Sequence, residues 1–286
     1  MTGPGKKNGT VRMTRLNRRT RTAILAGVMV CLLLALTGAG LTMNPARYGP
    51  DYSVKLSSPS AAHPFGTDYI GRDMFARSVK GLSNSIIIGG FAALVSAFIA
   101  LALGLFAASI GGAADSAVSF FVDLFLGIPH LVLLMLISYA IGKGFTGVIC
   151  AVALTHWPNL TRVIRAEVLQ VREAQYVLTA QKLGAKPFVI AARHILPHVL
   201  PQFIVGLILL FPHAILHEAA ITFLGFGLSV DTPAIGIILA EALKHIATGK
   251  WHLVFFPGAM LVIIVMLLDK MGELVKLLID PGSAQE

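Results

Sequence analysis

His213 and His217 stand four residues apart in an apolar run, and Glu218 follows at once. In a helix that spacing puts both imidazoles on one face, with Glu218 about 100° round from His217. Ionisable groups in such a run are costly in a bilayer and normally face a cavity or the interior of a helix bundle. Imidazole nitrogens are good ligands for nickel, zinc, copper and iron. His213, His217 and Glu218 therefore read as a path for a transition metal. Two imidazoles make an incomplete site, which suits transport, because a closed site would hold the ion too tightly for release. The competing reading is neutral histidines hydrogen-bonded to neighbouring helices. Pro212, directly before the pair, should loosen the helix there.

Enzyme chemistry finds little support. His217-Glu218-Ala219-Ala220-Ile221 begins like the HExxH of zinc proteases, but Ile221 replaces the second histidine. HxxEH, GxSxG and a Walker A loop are all missing from the sequence. The chain reads as a non-enzyme, with an intramembrane metalloprotease as a remote alternative. Cys31 and Cys150 lack partner spacing and read as small buried side chains. His130, beside Pro129, could line a path. His194 and His198 suit helix capping, and His63, His245 and His252 fall in or beside loops. None of these is assigned to the site.

The elements that must position His213 and His217 are membrane helices. The chain is 56% hydrophobic and only 13% charged, with mean hydropathy +0.78, well outside soluble composition. Ala23–Leu41 is an apolar run of 19 residues, about 28 Å as a helix and longer than a signal peptide's apolar region. Further runs at roughly 83–110, 117–141, 145–157, 199–227 and 252–279 complete six spans. Each must be helical, because an unpaired backbone group in lipid costs several kcal/mol.

Charge orients the spans. Lys6, Lys7, Arg12, Arg15, Arg18, Arg19 and Arg21 precede the first span with no acidic residue among them, the mark of a cytoplasmic anchor rather than a nucleic-acid arm. Alternation then makes the basic loop at about 158–198 cytoplasmic and both termini internal. The organisation expected is a basic cytoplasmic tail over 1–22 and a first transmembrane helix over 23–43. An external segment over 44–80 and a transmembrane core over 81–286 follow. The fold class is all-α, a polytopic membrane protein.

Within the cytoplasmic loop, Tyr176, Val177, Ala180 and Leu183 have helical spacing. Gly184-Ala185-Lys186-Pro187 stops that helix and starts a second, Phe188 to Ile195, which should end at Pro197. Such a helix–turn–helix, too small for its own core, either docks into another protein or lies on the membrane surface. Upstream, Gly66, Asp68, Gly71, Arg72 and Asp73 are a recipe for tight turns pinned by an ion pair, and they read as a structural clasp.

These segments resemble those of a known family. The loop is similar to the EAA loop of binding-protein-dependent ABC importers, with Gly184 and His194-Ile195-Leu196-Pro197 in matching positions. His63–Gly81 resembles the GTDxxGRDxxSR segment of the dipeptide, oligopeptide and nickel permeases. Asp123 with Ile128-Pro129, Ile221–Leu228, and Pro257-Gly258 with Ile279-Asp280-Pro281 resemble their later spans. The resemblance implies a type I ABC importer permease of the bacterial plasma membrane. Its partners would be a homologous second permease, two ATPase subunits that bind the ATP, and an external solute-binding protein. It places ATPase coupling on Leu178, Thr179, Ala180, Gly184, Ala185, Lys186 and Pro187. Leu178 stands where the family has its first glutamate, so apolar docking must carry more of the contact.

The His-x-x-x-His pair upstream of Ile221–Gly227, and the surroundings of His156-Trp157, are similar to the nickel-permease branch. That implies a transported transition metal, nickel foremost, with no resident cofactor. Glu218 matches an acidic position of the dipeptide branch, so a metal carried by an amino-acid-like metallophore also fits. Di- or oligopeptide import is the alternative.

Overall fold

The computed structural model describes residues 18–279, except for the side chains of Arg18 and Pro187. Most of the basic tail and the end of the Ile279-Asp280-Pro281 segment lie outside the described residues. Among the described residues the regular structure is helical: α1 (Arg18–Thr42), α2 (Met74–Ile110), α3 (Gly112–Gly127), α4 (His130–Ile141), α5 (Gly144–Thr155), α6 (Trp157–Arg172), α7 (Gln175–Lys182), α8 (Pro187–Ile190), α9 (Leu196–Phe223), α10 (Ile235–Leu243) and α11 (His252–Ile279). Four helical stretches are long and apolar enough to cross a membrane, and α3 with α4 makes a fifth if counted as one bent span. The 145–157 run is α5, whose 12 residues reach only about 18 Å.

At the centre is α2, which touches α1, α3, α5, α6, α9, α10 and α11. Its buried face is a column of small residues, including Ala92, Ala93, Ala97, Ala100, Gly104, Ala107 and Ala108. Lipid tails are as apolar as leucine, so helices associate here by close packing, and small residues allow it. A Cβ at Gly89 would lie 2.7 Å from the Ile215 side chain, and one at Gly104 2.7 Å from Ile164. Those two positions seat α9 and α6 against α2.

Three departures from the sequence-based expectations have physical causes. The 117–141 run is not straight: α3 and α4 meet at 98°. Ile128 precedes Pro129 and is pushed into extended backbone, φ −89° and ψ 136°, which a helix cannot continue through. The helix begun at Pro187 does not end at Pro197. It widens into a π-turn over Ala191–Ile195 and runs on into α9, because the wider turn relieves the clash that proline makes with the preceding carbonyls. The expected external loop before the last span contains α10. Ile235, Ile238 and Ala242 of that helix are buried against the core.

The 44–73 segment folds over the end of α2. Asp68 Oδ1 accepts from the amides of Ile70 and Arg72 at 3.0 and 2.9 Å, which closes the turn. Its Oδ2 accepts from Arg72 Nε at 2.5 Å and Arg77 Nη1 at 2.7 Å. Glu241 Oε2 accepts from the same two arginines at 2.7 and 2.8 Å. Two acids and two bases thus tie the segment to α2 and α10. Asp73 caps α2 through the Ala76 amide at 2.7 Å, and its other oxygen meets His63 Nδ1 at 2.7 Å. Gly66 and Gly71 have φ of 75° and 84°. At Gly71 a Cβ would lie 1.6 Å from the Asp51 carbonyl oxygen, so only glycine fits. Asp51 itself starts a 3-10 turn, and the Ser53 hydroxyl, helped by the Ser53 amide, holds its carboxyl below the usual range.

Candidate functional site

Two breaks in the helices and one continuous helix bring three histidines together. Pro129 ends the α3–α4 bend and makes His130 the first residue of α4. His156 is the single residue between α5 and α6, with Pro158 in the first turn of α6. His217 lies in α9, five residues after Pro212. The ring centroids of the three are 4.5 to 4.9 Å apart, and one nitrogen from each ring lies within 4.8 Å of the others.

The hydrogen bonds orient two of the rings. His156 Nδ1 lies 2.9 Å from the Val152 carbonyl, which can only accept, so Nδ1 carries a proton. The Thr155 hydroxyl donates to the Ala151 carbonyl at 2.9 Å and turns a lone pair to the same Nδ1–H at 3.1 Å. In the neutral ring this leaves the lone pair on Nε2, which lies 3.0 Å from His217 Nδ1. The His213 carbonyl accepts from His217 Nδ1 at 2.9 Å. His130 Nε2 is buried and has no hydrogen-bond partner among the described protein groups. Trp157, next in sequence to His156, donates Nε1–H to the Leu154 carbonyl at 2.9 Å and meets Phe125 edge-on.

Of the residues proposed from the sequence, His217 lies in this cluster. His213 is exposed, and its carbonyl rather than its ring is seen to touch His217. Glu218 is fully buried on another face of α9, where Thr222 Oγ1 donates to it at 3.0 Å. Ser85 of α2 lies beside this carboxyl, yet neither Ser85 Oγ nor Glu218 Oε2 reaches hydrogen-bond geometry. His130 and His156 were not assigned to the site. A signal for them does exist: each stands at a proline-marked helix break, where a polar side chain in a span has room to face inward.

Between α6 and α9 lies the loop expected to couple to an ATPase. Val177 is buried and holds α7 to the body, while Leu178, Thr179 and Lys186 are exposed and Ala180 is half-buried. Gly184 closes α7 with φ 80°, its amide donating to the Gln181 carbonyl and that of Ala185 to Ala180. Pro187 opens α8. Leu183 and Phe188 flank this turn, each 82% exposed. Arg162 pairs with Asp123, and Arg165 Nη2 donates to Asp115 Oδ2 at 2.6 Å, which clips α6 to α3. A separate cleft of about 920 Å³ lies beyond the end of α9, lined among others by Lys143, Thr222, Asp231, Glu241 and His245.

Comparison with known proteins agrees with this architecture. Residues 100–284 match the family model described as binding-protein-dependent transport system inner membrane component. The dipeptide transport system permease protein DppC of Bacillus subtilis is 33% identical over 223 residues, 78% of this chain and 70% of that protein. The nickel transport system permease protein NikC of Escherichia coli K12 is 32% identical over 265 residues, 92% of this chain and 95% of that protein. The MetNI methionine ABC transporter, solved in inward-facing conformations, shares the fold with a TM-score of 0.58 at 20% identity, covering 72% of this chain and 97% of that one. With its all-helical, multi-pass build, the chain belongs to the family of inner-membrane components of binding-protein-dependent transport systems: it is an ABC importer permease subunit, not an enzyme.

Proposed function

We propose that this chain forms one half of the membrane path of an ATP-driven importer for a transition metal, nickel foremost, carried as an ion or as a chelate with an amino-acid-like metallophore. The observation that carries this reading is the gathering of imidazoles around His217, with His213 one turn before it on α9. Neutral imidazoles are ligands for borderline first-row metals. A plain dipeptide, with its ammonium and carboxylate ends, gives three imidazoles little to bind. The nickel and dipeptide relatives stand at 32% and 33% identity, so the choice of cargo rests on ligand chemistry.

Under this reading an external solute-binding protein delivers the cargo, which passes His213 and His217 on its way in. A homologous second permease completes the path. Two ATPase subunits dock on Leu178, Thr179, Ala180 and the Gly184–Pro187 turn, and their closure on ATP moves that loop and rocks the spans. Both termini face the cytoplasm of a bacterial cell, held by the basic tail. No cofactor resides in the chain, and the metal is substrate. Import of di- or oligopeptides is the second reading, favoured by the buried carboxylate of Glu218, which offers a partner to a peptide ammonium. The test is ATP-dependent uptake of radiolabelled nickel by the reconstituted complex, with candidate chelators and competing dipeptides. Saturable metal uptake that dipeptides leave unchanged supports the metal reading. Dipeptide uptake without metal uptake overturns it.

A further inference from the structure

We infer that His130, His156 and His217 form a single three-nitrogen transit site, open on one side, through which the metal passes with part of its own ligand shell. The inference rests on the metal-import reading and adds the ligand set, two-thirds of which lies off α9.

Metal-binding histidines characteristically donate their second ring N–H to a carbonyl or carboxylate, which fixes the tautomer and aims the lone pair. His156 has this arrangement: Val152 takes Nδ1–H and Nε2 points at His217. The His213 carbonyl accepts from His217 Nδ1, from one turn back, which in the neutral ring puts the lone pair of His217 on Nε2. His130 supplies the third feature, a buried nitrogen with no partner among the described protein groups. Leaving such a nitrogen unpaired is costly, a cost that a metal would remove. The spacing of one pair also fits, and the third nitrogen lies within 4.8 Å of both. Two ligands on neighbouring corners of an octahedron, each with a bond of about 2.0–2.1 Å, stand about 3 Å apart. His156 Nε2 and His217 Nδ1 are already 3.0 Å apart. A metal could replace the shared proton between the rings with little movement of the helices, provided His217 either gives up its bond to the His213 carbonyl and offers Nδ1 from its other tautomer, or turns to offer Nε2.

Three neutral nitrogens give no charge compensation and leave coordination positions empty. The cargo must therefore bring its own anionic donors, which favours a partly chelated divalent ion over a naked one. Because the ligands come from the start of α4, the α5–α6 junction and α9, cargo binding would tie these three elements together. Moving any one of them in the transport cycle would take a ligand away, which gives a route to release. Glu218, facing Thr222 and Ser85, is not a ligand in this arrangement.

The experiment uses the complete importer complex, purified in lipid nanodiscs, with cobalt(II) alone as the probe. Its visible ligand-field bands report nitrogen ligation, and titration gives the affinity. His130→Ala, His156→Ala and His217→Ala should each weaken cobalt binding at least about tenfold and shift the bands. His198→Ala, at the far end of α9, should do neither. His156→Gln, which keeps bulk and polarity, repeats the test should an alanine variant fail to assemble. Bands and affinity unchanged in both the His130 and His156 variants would overturn the inference. Nickel uptake measured alongside separates the two proposals. Uptake by the unmodified complex that survives loss of the trio rejects the site and keeps the importer. A cobalt site that depends on the trio, in a complex that takes up no metal, rejects the importer reading instead.

Discussion

His156 Nε2 lies 3.0 Å from His217 Nδ1, so a ring at the α5–α6 junction and a ring in α9 face each other across the helix bundle. That contact turns a histidine pair on one helix into a cluster drawn from several. It also says which chain elements a cargo at this point would hold together.

The arginine–carboxylate cluster over α2 is expected to be the most sensitive structural feature. Arg77 is 2% exposed and bonded to both Asp68 and Glu241. Removing one partner of a buried ion pair leaves an uncompensated charge and costs about 3–5 kcal/mol. Arg77→Ala should therefore lower thermal stability in detergent by that order, with Arg77→Lys intermediate because lysine cannot span both carboxylates. A melting curve for Arg77→Ala that matches the unmodified protein would show the cluster to be dispensable.

Gly71 should tolerate no side chain. Its φ of 84° and the 1.6 Å approach of a Cβ to the Asp51 carbonyl combine strain with a backbone clash. Gly71→Ala is expected to lose at least about 1–3 kcal/mol and to fall in assembled yield, read by size-exclusion of the tagged complex. An equal yield would mean that the 44–73 segment relaxes freely.

Leu183 and Phe188 are each 82% exposed beside Gly184; under the proposed docking they would fill an apolar pocket on an ATPase subunit. Anchors of this kind carry about 2 kcal/mol or more of an interface. Phe188→Ala should cut transport-coupled ATP hydrolysis while leaving cobalt binding at the histidines within about twofold. Equal coupling in the Phe188 and Leu183 variants and the unmodified complex would move the docking surface elsewhere on the loop.

Glu218→Gln separates the two cargo readings. Glutamine keeps the Thr222 bond and the volume but removes the charge. Metal uptake should stay within about threefold of normal, because the carboxylate faces Thr222 and Ser85 rather than the imidazoles. Loss of uptake to background, together with loss of dipeptide competition, would favour a peptide ammonium as the group recognised.

Much of this architecture is legible in the residues. The apolar runs behind α1, α2, α9 and α11 stand out by length alone, and His213 and His217 are visible because a four-residue spacing is local. The bend at Pro129 is half-legible: proline marks the break, but its 98° angle is set by packing against α5 and α9. Polar flanks hid α10, whose apolar run is too short to read as a span. The histidine cluster is the least legible feature. His156 and His217 are 61 residues apart, and no periodicity relates them to His130. Only the packing of α4, α5 and α9 brings them together.

The central claim is that a metal crosses the membrane over these imidazoles, and the most direct measurement is ATP-dependent nickel accumulation in proteoliposomes carrying His156→Ala with His217→Ala. Uptake should fall by at least about tenfold, with assembly and basal ATP hydrolysis unchanged. Uptake equal to that of the unmodified complex across the full range of metal concentrations would contradict it.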